Sequence, residues 1–129
     1  MQPSLKYVND IKPVTVAATI EWLSSQEGGR QQPPAIGTYY AVARFSLKPD
    51  ESWSVIFQLA FHLRNSHNRQ VSRGTVRFLV EHAPHEYLLH YHSFDIYEGP
   101  HLVAHAFLLY IMTIKSPTAS GEAFKVIMI

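Results

Sequence analysis

From Val14 to Leu23 the chain alternates without a break. Val14, Val16, Ala18, Ile20 and Trp22 are separated by Thr15, Ala17, Thr19 and Glu21. A period of two sends successive side chains to opposite faces, so this stretch fits a strand with one buried face and does not fit a helix. The pattern returns at Trp53, where Val55, Phe57, Leu59, Phe61 and Leu63 oppose Ser54, Gln58 and His62. It returns again over Thr75 to Glu81, with Val76, Phe78 and Val80 on one side. Tyr39 to Leu47, Tyr87 to Tyr97 and His101 to Ile114 add further extended runs. Between the runs lie breakers: Glu27-Gly28-Gly29-Arg30 followed by Pro33-Pro34, Lys48-Pro49-Asp50, the polar connection Arg64 to Gly74, Ala83-Pro84 and Glu98-Gly99-Pro100. Six or seven short strands with turn signals between them predict an all-β antiparallel barrel or sandwich, with a hairpin at Glu98-Gly99-Pro100. Glycines 28, 29 and 99 mark corners whose backbone favours glycine.

With 129 residues the chain suits one domain and one core. The expected division is an N-terminal extension over 1–13, a barrel domain over 14–115, and a spacer with an added strand over 116–129. That last apolar segment, Phe124 to Ile129, is expected to join a sheet edge, cover the barrel or pair with another subunit. Hydrophobic residues make up 47% and charged residues 16%, which argues against disorder. A net charge of +1 gives no general attraction for nucleic acid or an anionic membrane, and favours self-association. The absence of cysteine excludes disulfides, thiolate nucleophiles and cysteine-ligated metals. Met1 to Lys12 has no apolar segment of the secretory kind, and the longest uncharged apolar stretch, Phe107 to Met112, is too short to span a bilayer. A cytoplasmic protein without a membrane span is the expectation.

The ordered set of Ile20 to Tyr40 with its Glu27-Gly28-Gly29-Arg30 turn, then Arg73-Gly74, Ala83-Pro84, Phe94-Asp95-Ile96-Tyr97-Glu98-Gly99 and Leu102-Val103, resembles the C-terminal barrel domain of elongation factor Tu and its relatives over about residues 14 to 112. The resemblance implies a single antiparallel six- to seven-stranded Greek-key-like barrel, and a binding module in which contact with a protein partner or with transfer RNA is the work done. Two family features are replaced. A Gly-Tyr-Arg-Pro-Gln segment tied to those contacts becomes Gly37-Thr38-Tyr39-Tyr40, and a Val-Gly-x-Gly motif becomes Val103-Ala104-His105-Ala106. The chain has no phosphate-binding loop of the Gly-x-x-x-x-Gly-Lys-Ser/Thr kind, so no nucleotide is expected.

Read for chemistry, the residues favour binding over catalysis. No nucleophile elbow accompanies Ser66, Ser72 or Ser93, and paired carboxylates such as Asp95 with Glu98 read as turn and surface charges. The expectation is therefore a non-catalytic module without cofactors, acting on a protein partner or on itself as a homo-oligomer. A second reading is RNA binding, with Arg30, Arg69, Arg73 and Arg77 as phosphate contacts and Tyr39 and Tyr40 as stacking surfaces. A third is a metal site with a hydrolytic role. His90 and His92 would share one strand face, with His101 and His105 approaching across the hairpin. The simpler account of these histidines is solvation or hydrogen bonding to backbone. Glu27 and Arg30 are expected to pair with each other or to hold their turn through backbone hydrogen bonds. Trp22, Trp53, Phe57, Phe61, Phe78, Phe94 and Phe107 are expected in the core.

Overall fold

The computed structural model describes residues 13–109, 111–115 and 124–128. Six strands close into an antiparallel barrel: β1 (Val16–Trp22), β2 (Gly37–Arg44), β3 (Trp53–Arg64), β4 (Gln70–Phe78), β5 (Ser93–Glu98) and β6 (His101–Leu109). Their order around the barrel is β1-β4-β3-β2-β5-β6, and β6 pairs again with β1. Strands β2, β3 and β4 follow one another as hairpins while β1 lies beside β4, a Greek-key arrangement reached through the long 23–36 connection. Two further strands, β7 (Ile111–Lys115) and β8 (Phe124–Met128), pair antiparallel in a sheet of their own. The final apolar segment therefore has an intramolecular partner, and the run expected over His101 to Ile114 is divided between two sheets. Of the expected extension over 1–13 only position 13 is described, and of the expected spacer and added strand over 116–129 only 124–128.

The even positions of β1 are buried in strict alternation, as the sequence pattern requires. Phe57, Phe78, Phe94, Ile20, Ile96, Val55 and Val76 fill the interior with the small Ala18, Ala43, Ala104 and Ala106, whose size lets the bulky rings interdigitate. Burial of this apolar surface is the main force holding the barrel, at about 25 cal/mol per Å² removed from water. Gly28 and Gly99 take φ of 93° and 58°, the left-handed conformation expected at those corners.

Three expectations are corrected. First, β3 carries a register shift between Leu59 and Phe61. One extra residue turns the following side chains to the opposite face. Phe61 (49% exposed) and Leu63 consequently point outward, and His62 turns to face Ser72 across the ladder. Gly74 fits this irregularity because a Cβ there would lie 2.0 Å from the Gln58 carbonyl oxygen. Phe107 also lies outside the core, at 41% exposure. Second, the connection between β3 and β4 is a short hairpin turn over 65–69, and Arg73 lies within a strand.

Third, Tyr87 to His90 is one turn of helix, α1, with β5 beginning only at Ser93. The 79–92 connection crosses the barrel end formed by the close of β4 and the start of β5, and a helical turn drives Leu88 into the core there. Tyr87 and Tyr91, four residues apart and so on one helix face, both pack on Phe45 with ring centroids 5.3 and 5.4 Å away. Glu51 accepts hydrogen bonds from Trp53 Nε1 and Tyr87 Oη. These hold its carboxyl below the usual range, while loss of hydration and then the Glu51 carboxylate push the Tyr87 phenol up to about 12. This end of the barrel is plugged by aromatic rings. Among the described residues no helix is long and apolar enough to cross a membrane.

Candidate functional site

The opposite end is open and polar. It collects the end of β1 with its outgoing connection, the β3–β4 turn, and the β5–β6 turn. The connection starts as a 3₁₀ turn over Ser25–Glu27, and Ser24 and Glu27 cap it reciprocally. Glu27 N–H donates to Ser24 Oγ at 3.2 Å, and Ser24 N–H donates to Glu27 Oε1 at 2.8 Å. The spacing Ser24-x-x-Glu27 announces this box in the sequence, a signal the turn residues around it obscure. Across the opening, Asn65 Oδ1 accepts the backbone N–H groups of His67 and Arg69, and Asn68 takes φ of 60°. Asparagine is among the few residues that accept that conformation readily.

Two ion pairs strap the connection down, neither between Glu27 and Arg30; of the two roles expected for these residues, the backbone hydrogen bonds are the one found, from Ser24 N–H to Glu27 and from Arg30 to the Gln32 carbonyl. Arg69 forks onto Glu27 with Nη1–Oε1 at 2.7 Å and Nη2–Oε2 at 3.1 Å, and Nη1 also donates to the Trp22 carbonyl. The Arg69 hydrogen bonds, and after them the Ser24 N–H, hold the Glu27 carboxyl down to about 2. Arg30 Nη1 meets Glu98 Oε2 at 2.7 Å, and its Nε donates to the Gln32 carbonyl. Tyr39 donates to the same Glu98 oxygen at 2.5 Å. The Tyr39 ring lies between Trp22 and Phe57, and burial first, then the Glu98 carboxylate, raise its hydroxyl well above the ordinary range of a phenol.

Beneath the strap, Ser72 (0% exposed) ties three elements together. His62 Nε2 lies 2.9 Å from the Pro34 carbonyl oxygen, which only accepts, so Nε2 carries the hydrogen and Nδ1 is the acceptor. The Ser72 hydroxyl, 2.6 Å away, donates to Nδ1, and its oxygen accepts the Trp22 indole N–H at 2.7 Å. A serine touching a histidine is the beginning of a nucleophile and base. Here the oxygen is enclosed and already occupied by the indole, so the contact fastens β1, β3 and β4 to the connection.

Between the two turns runs a cleft of about 560 Å³, lined by Trp22, Ser25, Gln26, Glu27, Arg30, Gln31, Arg64, His67, Asn68, Arg69 and Gln70 among others. Arg64, which donates to the Asn68 carbonyl, forms no ion pair among the described residues. Sequence reasoning placed Arg64 in the polar connection without choosing it as a contact, read Glu98 as a turn charge and did not single out Gln70, because local pattern does not show that the fold brings the three turns to one end.

The expected RNA contacts divide. Arg30 and Arg69 reach the cleft, each against a carboxylate, whereas Arg73 and Arg77 are exposed positions of β4 whose register partners are Phe61 and Ile56. Tyr40 is exposed, but Tyr39 is 8% exposed and so offers no stacking face. The histidines also part company. His90 closes α1 and His92 follows it, so they do not share a strand face, and His101 begins β6 at the far end of the β5–β6 hairpin. His105 faces Asp95, with Nδ1 2.7 Å from Oδ1. Among the described residues no three histidine, aspartate or glutamate side chains group as a metal site. Comparison with family models, curated proteins and solved structures finds no match to the chain.

Proposed function

We propose that this chain is a non-catalytic binding module of the kind its sequence resembles, the C-terminal barrel of elongation factor Tu, working in the cytoplasm through contact with a protein partner at the open end of the barrel. The observation that carries this reading is the cleft itself: about 560 Å³ between two turns, each stiffened by its own capping hydrogen bonds and joined to the other by the Arg69–Glu27 pair. Rigid loops on a closed scaffold are where recognition groups are commonly placed. The carboxamides of Gln26, Gln31, Asn68 and Gln70 give its walls paired donors and acceptors, the complement of a peptide backbone. RNA has less support, since the arginines divide between the cleft and the outer face of β4, and the cleft's indole is 3% exposed and so closed to base stacking.

The test is capture from cell lysate on immobilised wild-type chain and on an Arg64→Ala, Gln70→Ala chain, with light scattering to detect a second copy. The expected result is a protein retained by the first and lost from the second. A monomer that retains nothing in an Arg64-dependent way refutes the reading.

A further inference from the structure

Within that reading of the cleft, we infer that its ligand is an acidic peptide segment, and that Glu27 is a resident stand-in which the ligand's carboxylate displaces from Arg69. Three arginines, Arg30, Arg64 and Arg69, line the cleft against the single lining carboxylate Glu27. Arg30 is engaged from outside the cleft by Glu98, and Arg64 meets only a backbone carbonyl. The lining therefore carries an excess of positive charge, and an acidic occupant is the complement.

The geometry of Arg69 narrows the ligand's chemistry. Its planar fork already holds a carboxylate in two-point contact, 2.7 and 3.1 Å, which fits a glutamate or aspartate side chain. Glu27 and Arg69 keep 42% and 32% of their side-chain surface in water, so solvent and the incoming carboxylate together offset the loss of the fork when Glu27 leaves. Each partner has a second contact outside the pair: Arg69 Nη1 donates to the Trp22 carbonyl, and Glu27 Oε1 accepts from Ser24 N–H. The contact is thus an internal competitor, and the apparent affinity of the cleft is lowered by the fraction of time Glu27 occupies the fork.

Glu27→Gln separates these roles. Glutamine retains the capping oxygen for Ser24 N–H and removes the charge that holds Arg69. Fluorescence anisotropy with labelled octaglutamate is expected to show binding to wild type, binding tighter by on the order of fivefold to Glu27→Gln, the scale of one exposed ion pair, weaker binding to Arg64→Ala, and no change in Arg77→Ala. In the unsubstituted chain the Arg69 Nε–H resonance is expected to shift with added octaglutamate, a readout independent of how the variants fold. Binding that depends on Arg64 but is equal or weaker in Glu27→Gln, with no shift at Arg69, overturns the competitor role and leaves the cleft as a binding surface. Failure of wild type and Glu27→Gln alike to bind octaglutamate overturns the acidic ligand, and tighter binding of a labelled oligouridine assigns the cleft to RNA.

Discussion

Ser72 shows how much can rest on one hydroxyl. It is donor to His62 Nδ1 and acceptor for the Trp22 indole N–H, the one polar group of that ring, while the second His62 nitrogen reaches the Pro34 carbonyl. A buried donor stripped of its acceptor costs more than an ordinary hydrogen bond contributes. Ser72→Ala leaves the Trp22 N–H without its acceptor, and urea unfolding is expected to show a loss of about 1–3 kcal/mol; a loss below about 0.5 kcal/mol, the scale of an ordinary surface change, contradicts the network. Glu27 yields a prediction in pH. Its folded carboxyl is held down to about 2 against an ordinary 4.5, so the unfolded chain takes up the proton first as acid is added. The stabilisation from this group is complete above about pH 4.5 and is lost as pH falls toward about 2. The difference in melting temperature between wild type and Glu27→Gln is expected to shrink over that window; a difference that is constant through it would place the depressed carboxyl elsewhere.

Among the elements, β3 is the most instructive. Up to Leu59 the odd positions Val55, Phe57 and Leu59 are buried, with Ile56 covered as well, whereas beyond the register shift the odd positions Phe61 and Leu63 are exposed. Phe57→Ala is expected to cost about 3–5 kcal/mol as a core truncation, and Phe61→Ala under about 1 kcal/mol, since half of that ring faces solvent. Equal costs in denaturant titrations would place Phe61 inside and remove the bulge. The shift was hidden because a single extra residue leaves the spacing of apolar residues in the sequence unchanged. The helix α1 was hidden for a related reason: Tyr87 to Tyr91 is apolar without alternating, and such a run does not declare whether it is strand or helix. The turn at Gly99 was legible because an acidic residue, a glycine and a proline meet there between two extended runs.

For the whole molecule, the class of fold was legible and the site was largely not. Local pattern specifies strands and turns and with them an all-β antiparallel fold, while the choice of a closed six-stranded barrel over a sandwich, and its Greek-key order, are not contained in that pattern. The cleft depends instead on closure, which sets Arg69 beside Glu27 across 42 positions and Arg30 beside Glu98 across 68. No spacing rule in one sequence contains those pairs, and arginines that look like neighbours, Arg69 and Arg73, part because the chain turns into β4 between them.

Closure against both β4 and β6 also sets a timetable. A chain emerging from the ribosome at 5–20 residues per second delivers the end of β6 roughly 4 to 17 seconds after the end of β1. Throughout that interval Val16–Trp22 has one flank that nothing yet synthesised can satisfy, since its β6 partners Ala104 to Leu109 have still to be made. The nascent protein thus carries an apolar edge of its own making, and its safe passage depends on whatever shields that edge during translation.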